Sequence, residues 1–238
     1  MIYCKNTNIG HREVLFNIEE LRLKTGRLVS LIGPNGTGKT TFFETLLGEI
    51  PILGGEINID NKKVNNLKSK DRVELFSHVG SKFSGVEHLS VYELIGLGRA
   101  PFTNFLNRLG KSDHEIVQQI IKKLNIEKLA NKNTTEISDG ERQIAMLGKA
   151  LAQKSKIIIL DEPTAFLDYR NKQKIMRILS ELAAQQNLLI LISNHDIDLA
   201  LKFSDEVIAI DPKQKSLLTF AQPFDKKEIV EQIFEFVE

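Results

Sequence analysis

Short, largely apolar runs recur along the chain and are typical of strands buried on both faces. These runs are residues 28–32, 157–160, 188–192 and 207–210. Helical patterns separate most of them, and residues 172–184 place apolar side chains at helical spacing. The alternation of strand and helix predicts an α/β fold with a parallel sheet.

Two stretches depart from this pattern. Residues 56–60 alternate Ile57 and Ile59 with polar positions, which predicts a peripheral antiparallel β arm. Residues 84–152 are helical in pattern, and Ser112 and Glu115 indicate a capping box at the start of one amphipathic helix. We therefore expect a single domain, 1–238, in which an α/β core of residues 1–83 and 153–238 carries an inserted helical subdomain, 84–152.

Composition and charge narrow the functional classes. The 238 residues are 42% hydrophobic and 26% charged, with a net charge of +1, as in an ordinary globular protein. The sequence has no basic stripe of the kind that would indicate nucleic acid as a partner. The single cysteine, Cys4, allows no internal disulfide and no Cys/His zinc pattern. The first residues do not have the pattern of a secretory signal, and the apolar runs are far shorter than the ~20 residues of a membrane helix, so we expect neither element.

A glycine-rich stretch carries the first candidate chemistry. Residues 33–40, Gly-Pro-Asn-Gly-Thr-Gly-Lys-Thr, fit the G-x4-G-K-[ST] phosphate-loop pattern, between a predicted strand and a predicted helix at 39–47. Lys39 should reach the β- and γ-phosphates, and Thr40 should ligate Mg²⁺. No guanine-recognition motif follows, so ATP is favoured over GTP. The predicted nucleotide ligands are Asn35, Gly36, Thr37, Gly38, Lys39, Thr40 and Thr41.

Two carboxylates end the apolar run at 157–160. Parallel strands of this kind bring their carboxyl ends beside a phosphate loop. Asp161 is then placed to hold Mg²⁺, directly or through water, and Glu162 to orient or deprotonate the attacking water. The alternative is that two acids merely end a strand.

Three further motifs give the chain a family resemblance. Residues 137–143, Ile-Ser-Asp-Gly-Glu-Arg-Gln, resemble the Leu-Ser-Gly-Gly-Gln signature of ATP-binding cassette (ABC) transporter ATPases. Phe166-Leu-Asp168 resembles their D-loop, and residues 193–196, Ser-Asn-His-Asp, resemble their switch-histidine loop. The five motifs occur in the order that the family has, and the resemblance covers nearly the whole chain. The resemblance implies a P-loop NTPase with a RecA-like core that hydrolyses Mg-ATP as a head-to-tail homodimer.

The resemblance also implies roles for the residues of these motifs. His195 would contact the γ-phosphate and position the water together with Glu162. Ser138 and Glu141 form a capping box, and such a helix start is an anion site, although an ordinary helix cap is the alternative. The residues implied to meet ATP bound to the other subunit are Ser138, Asp139, Gly140, Glu141 and Asp168.

Two positions depart from the family pattern. The glutamine of the Q-loop, which reaches Mg²⁺ and links the site to the permease, would fall at Ser81. The shorter Ser81 side chain would reach Mg²⁺ directly only if the loop moved inward, and otherwise through a bridging water. The aromatic residue that stacks on adenine would fall at Ile9, whose aliphatic side chain could pack on the base without a π-face.

Residues 89–101 resemble the segment that marks importer ATPases for iron-siderophores, haem and cobalamin. This resemblance implies a homodimer docked on integral-membrane permease subunits, peripheral on the cytoplasmic face of the cell membrane, with a substrate-binding protein outside. One alternative is a soluble ABC ATPase that acts in assembly or scaffolding without a permease. Another is a nucleotide-gated binding module that hydrolyses ATP poorly.

Overall fold

The computed structural model describes residues 1–80, 83–103, 108–165 and 167–234. The strands in this part of the chain are β1 (Ile2–Gly10), β2 (Val14–Leu23), β3 (Arg27–Ile32), β4 (Gly54–Ile59), β5 (Lys62–Lys63), β6 (Phe76–Val79), β7 (Ile157–Leu160), β8 (Leu189–Ser193), β9 (Glu206–Asp211) and β10 (Ser216–Ala221). The helices are α1 (Lys39–Leu47), α2 (Ser69–Leu75), α3 (Val91–Gly96), α4 (Lys111–Lys123), α5 (Asp139–Ala152), α6 (Tyr169–Gln186), α7 (Ile197–Phe203) and α8 (Lys226–Ile233).

The strands form one sheet in the order β5-β4-β1-β2-β10-β9-β3-β8-β7-β6. From β9 to β6 all neighbouring strands are parallel. At the other end β5, β4, β1 and β2 pair antiparallel, and β10 joins the two halves. The predicted α/β fold, with its parallel core and antiparallel arm, is confirmed.

Both faces of the parallel half are covered, which explains why its strands are continuous apolar runs. On one face Ile158 and Ile190 belong to a core shared with α3–α6. On the other face Ile159 and Leu191 belong to a core shared with α1 and the antiparallel arm. Because the strands lie in register, with Leu160 beside Ile192, their carboxyl ends open at one edge of the sheet.

Helices α3, α4 and α5 occupy the stretch between β6 and β7, as the helical pattern predicts. Val91, Val117 and Ile144 are buried in the same core as the sheet residues Ile158 and Ile190, so these helices share one apolar core with the sheet. The division of the chain at 84 and 152 stays a prediction.

The capping box expected at Ser112 and Glu115 is wrong. Helix α4 begins earlier, at Lys111, after the N-cap residue Gly110, and Asp113 accepts the backbone N–H of Gly110 at 3.0 Å. The physical reason is a competing partner, because Arg99 Nε donates to Asp113 Oδ1 at 2.9 Å and holds that carboxylate at the helix start.

The end of the described chain packs against the sheet. Ile229 and Ile233 of α8 are buried against Val207 and Ala209 of β9, beside α7. Within the described ranges, no helix has both the length and the apolar character needed to cross a membrane.

Candidate active site

The glycine-rich loop connects β3 to α1 at the open edge of the sheet. Gly33, Gly36 and Gly38 have φ angles of 151°, 78° and 107°, a region that disfavours side chains. Asn35 and Gly36 are exposed, and the Thr37 hydroxyl donates to Pro34 O at 2.9 Å. The loop therefore has the backbone conformation that lets successive N–H groups face one anion.

Lys39 begins α1, as predicted, and its ammonium group folds back over the loop. Lys39 Nζ donates to Gly33 O at 2.8 Å and to Pro34 O at 2.9 Å, and the residue is 6% exposed. Burial lowers the pKa of Lys39 below its usual value, while the Glu162 and Asp161 carboxylates oppose that shift. Among the residues that the structure describes, no side chain caps the N-terminus of α1, so its first N–H groups and the Lys39 charge are available to phosphate.

The hydroxyl of Thr40 lies beside the first of the two carboxylates. Thr40 Oγ1 donates to Asp161 Oδ2 at 3.0 Å. Mg²⁺ in nucleotide sites is held by one or two protein oxygens together with substrate phosphates, and this hydroxyl–carboxylate pair beside the phosphate loop is a donor set of that kind. Thr41, the next residue of α1, is buried.

Ser193 is a site residue to which the sequence analysis assigned no role. Its hydroxyl donates to Asp161 Oδ1 at 2.5 Å and accepts the backbone N–H of Glu162 at 2.7 Å. The available signal was its position directly after the apolar run at 188–192, but the sequence does not show that this strand pairs with the strand before Asp161, as the structure does. Ser193 thereby fixes the orientation of Asp161 and the backbone of Glu162 together.

Glu162 and His195 come together from the ends of β7 and β8. His195 Nε2 lies 2.6 Å from Glu162 Oε1, and the two side chains are 41% and 33% exposed. Glu162 adopts a left-handed backbone conformation, with φ of 50°, which turns the chain away from the strand line. The pair faces solvent, close to Asp161, and is accessible to a bound substrate and a water.

The motif at 138–141 builds a second helix start. The Ser138 hydroxyl and backbone N–H lie 2.9 Å from Glu141 Oε2, and Glu141 N donates to Ser138 Oγ at 3.4 Å, so the predicted capping box is confirmed. Backbone and side-chain hydrogen bonds from Ser138 lower the pKa of Glu141. Asp139, exposed in the first turn, pairs with Arg142.

Asp168 caps α6 and lies close to that helix start. Its carboxylate accepts the backbone N–H of Asn171 at 2.8 Å and the Asn171 side-chain amide at 2.9 Å. A Cβ atom added to Gly140 would lie 3.4 Å from the Asn171 side chain. Asn171, which no motif indicated, therefore joins the predicted signature and D-loop residues on one surface.

Three other expectations have different outcomes. Ile9 is wholly buried against Phe16 of the neighbouring strand, so the expectation that it packs on a base is wrong. The reason is strand alternation, which turns Ile9 towards the core. The expectations for Ser81 and for Phe166 lie outside the described residues.

The fold and this site together define a P-loop ATPase, and comparison with known proteins defines its family. Residues 16–165 match the family model described as ABC transporter. The chain is 33% identical to an uncharacterised ABC transporter ATP-binding protein of Methanocaldococcus jannaschii, over 99% of this chain and 81% of that protein. The chain belongs to the ABC transporter family and is an ATP-binding, ATP-hydrolysing cassette.

Further relatives and solved structures agree with this assignment. The petrobactin import ATP-binding protein FpuC of Bacillus anthracis is 33% identical over 80% of this chain and 70% of that protein. A dimeric ATP-binding cassette in a post-hydrolysis state, bound to ADP and Pi, is 25% identical, with a TM-score of 0.77, over 94% of this chain and 100% of that one. An inward-facing transporter described as of the metal-chelate ABC type shares the fold, with a TM-score of 0.82 at 22% identity, over 97% and 88% of the two chains.

Proposed function

We propose that this chain is the ATPase subunit of an importer for an iron chelate (siderophore), haem or cobalamin. FpuC of B. anthracis is a petrobactin import ATP-binding protein, and the iron(3+)-hydroxamate import ATP-binding protein of Bacillus subtilis is 28% identical over 92% of this chain and 82% of that protein. The chain would sit peripherally on the cytoplasmic face of the membrane, bound to permease subunits, with a substrate-binding protein outside.

Within the site, the nucleotide phosphates would be held by the loop N–H groups, the α1 N-terminus and Lys39. Mg²⁺ would be held by Thr40 and Asp161, with Ser81 as the third predicted ligand. When bound, the ion would neutralise part of the phosphate charge. Ser193 supports this arrangement because it fixes the Asp161 carboxylate at 2.5 Å.

Glu162 would accept a proton from the water that attacks the γ-phosphorus, while the P–O bond to ADP breaks and its electron pair stays on ADP. His195 would orient Glu162 and contact the γ-phosphate. The contact of 2.6 Å between His195 Nε2 and Glu162 Oε1 is the observation that carries this proposal.

The other half of the site would come from a second copy of the chain. The start of α5, with Ser138, Asp139, Gly140 and Glu141, would face the γ-phosphate held by the partner, and Asp168 would line the same seam. Two observations support this: Ser138 and Asp139 are exposed at the start of α5, and Asn171 joins this helix start to Asp168 on one surface.

The permease would dock on the helical stretch. Three of the large apolar side chains with high exposure lie between β6 and α4, namely Val86 at 50%, Leu97 at 48% and Phe102 at 44%. Exposed apolar side chains in one segment are typical of a protein-binding surface, and this segment follows directly on the predicted Q-loop position.

The experiment is to co-express the chain with its candidate permease, reconstitute the complex in lipid vesicles and measure ATP turnover with and without a chelate-loaded binding protein. We expect the permease to change turnover severalfold, and Leu97→Glu to abolish that change while keeping the turnover of the isolated chain. Leu53→Glu, at a residue 39% exposed in the loop before β4, is the matched control. Wild-type turnover indifferent to the permease would favour the soluble assembly role.

A further inference from the structure

Helix α2 contacts the C-terminal ends of α1 and α5, the two helices whose N-termini form the predicted phosphate sites. At the end of α1, Gly48 is in a left-handed conformation with φ of 71°, and Arg72 Nη1 of α2 donates to Gly48 O at 2.9 Å. A Cβ atom on Gly48 would lie 2.8 Å from the Arg72 guanidinium carbon. The guanidinium is thus packed directly on the C-terminus of α1, where a positive charge is favoured.

At the end of α5, the C-cap residue Gln153 makes the corresponding contact. Its amide Nε2 donates to Val73 O at 2.8 Å and to Phe76 O at 2.5 Å, so both amide protons are used on backbone that spans the junction of α2 and β6. Two residues on, Ser155 Oγ donates to Ser77 Oγ at 2.9 Å in a buried contact. Helix α5, which begins at the signature motif and is called the signature helix below, is therefore hydrogen-bonded to α2 and β6 at its C-terminal end.

These contacts add, to the apolar packing along α5, a polar link between the two helices whose N-termini are predicted to face phosphate. Helix α5 has 14 residues and is about 21 Å long, so a tilt of about 5° at its C-terminus moves its N-terminus by about 2 Å. Arg99 Nη1 also holds this end, through Ala152 O at 2.8 Å, but Arg99 belongs to the helical stretch itself. Gln153 makes the bridge from α5 to the α2–β6 junction, and thus towards the helix that carries Lys39.

We propose that Gln153 is a positioning residue that sets the tilt of α5, so that Ser138 meets the nucleotide held by the second copy's phosphate loop. Arg72 completes the link to α1. This inference rests on the proposed two-copy site, because each nucleotide must fit a P-loop and a signature helix at once. A change at Gln153 then disturbs closure of the dimer and leaves capture of ATP by one chain intact.

The test uses Gln153→Met, which preserves length and removes both hydrogen bonds. Its matched control is Gln222→Met, which removes a bond of the same kind, from Gln222 Nε2 to Ser204 O at 2.8 Å, far along the chain. Both changes are made in a Glu162→Gln chain that traps the closed dimer. Fluorescent-ATP binding is measured at dilution, dimerisation by light scattering, and unfolding by heat.

We expect Gln153→Met to raise the ATP concentration for half-maximal dimerisation about fivefold or more, with single-chain affinity and melting temperature matching those of the control. Dimerisation equal to that of the control overturns the inference, as does a loss of single-chain affinity in the same proportion. Should Gln153→Met not fold, Arg72→Lys tests the other end of the link and is expected to weaken dimerisation in the same way. A Glu162→Gln chain that never dimerises would overturn the two-copy site as well.

Discussion

His195 Nε2 lies 2.6 Å from Glu162 Oε1, although the two residues stand 33 positions apart in the chain. Their strands, β7 and β8, are parallel and in register, so their carboxyl ends deliver both side chains to one point. The Ser193 hydroxyl, which accepts the Glu162 N–H, holds the turn that makes this contact possible.

Replacing Glu162 by Gln keeps the size of the side chain and removes the proposed proton acceptor. We expect turnover to fall by about 100-fold or more, with ATP binding nearly unchanged because Lys39 and the loop are intact. Steady-state phosphate release and ATP titration measure the two effects. Asp198→Asn, the same change at an exposed carboxylate, should keep full activity, and normal turnover in Glu162→Gln would refute the assigned role.

A Ser138→Arg chain separates nucleotide capture from hydrolysis. The added bulk and charge lie at the start of α5, away from residues 33–41, so a single chain should still bind ATP. Hydrolysis should collapse, since the second copy's nucleotide would meet Arg in place of Ser. Calorimetric binding and turnover on the same preparation are the measurements; a parallel loss of both would show that Ser138 acts within its own chain's site.

The ion pair between Arg99 and Asp113 should contribute to stability. Their side chains are only 11% and 12% exposed, so Asp113→Asn leaves a largely buried guanidinium charge unpaired and should cost about 3 kcal/mol in urea unfolding. Asp198→Asn, which breaks an exposed pair with Lys226, should have little effect.

This contribution also depends on pH. The Arg99 hydrogen bond, followed by the Gly110 N–H, lowers the pKa of Asp113 below its ordinary 3.8. The stabilisation is therefore present above that ordinary value and is lost as the pH falls through the lowered pKa. The difference in unfolding free energy between wild type and Asp113→Asn should become smaller in acid. A difference that stays constant with pH would exclude an ionised Asp113.

Cys4 should be inert in the folded protein. It is fully buried, and burial raises the pKa of its thiol to about 12. At pH 8 about one chain in ten thousand would carry the thiolate, so a thiol reagent should react only after denaturation. Rapid labelling of the native protein would contradict this prediction.

The buried thiol also makes stability depend on pH. Because the unfolded thiol ionises near its ordinary pKa of 9.0, the free energy of unfolding should fall as the pH rises from there towards about 12. The fall should be smaller in Cys4→Ala, in which only the other groups that titrate in this range remain.

The sequence predicted most of the fold because its signals are local. The apolar runs, the glycine pattern before Lys39 and the Ser138–Glu141 box each lie within a few residues, and each formed the expected element. The start of α4 was wrong because Asp113 is held by Arg99, fourteen positions away, which no local pattern contains.

The candidate site divides in the same way. Lys39, Asp161 and Glu162 stand in contiguous motifs, so their neighbourhood was predictable. Ser193 and Gln153 each act through two hydrogen bonds to residues 31 to 80 positions distant, and only the folded chain brings these residues together. The prediction that Ile9 packs on the base was wrong for a related reason, since alignment to a motif does not show which face of a strand a side chain occupies.

The proposed site needs a second copy of the chain, and gel filtration of Glu162→Gln shows whether ATP brings that copy in. The chain is run with Mg-ATP, with Mg-ADP and without nucleotide, and again with Ser138→Arg added. We expect a dimer with Mg-ATP alone, and we expect its loss when Ser138→Arg is present. A single monomer peak in every condition, or a dimer that persists without nucleotide and with Ser138→Arg, would contradict it.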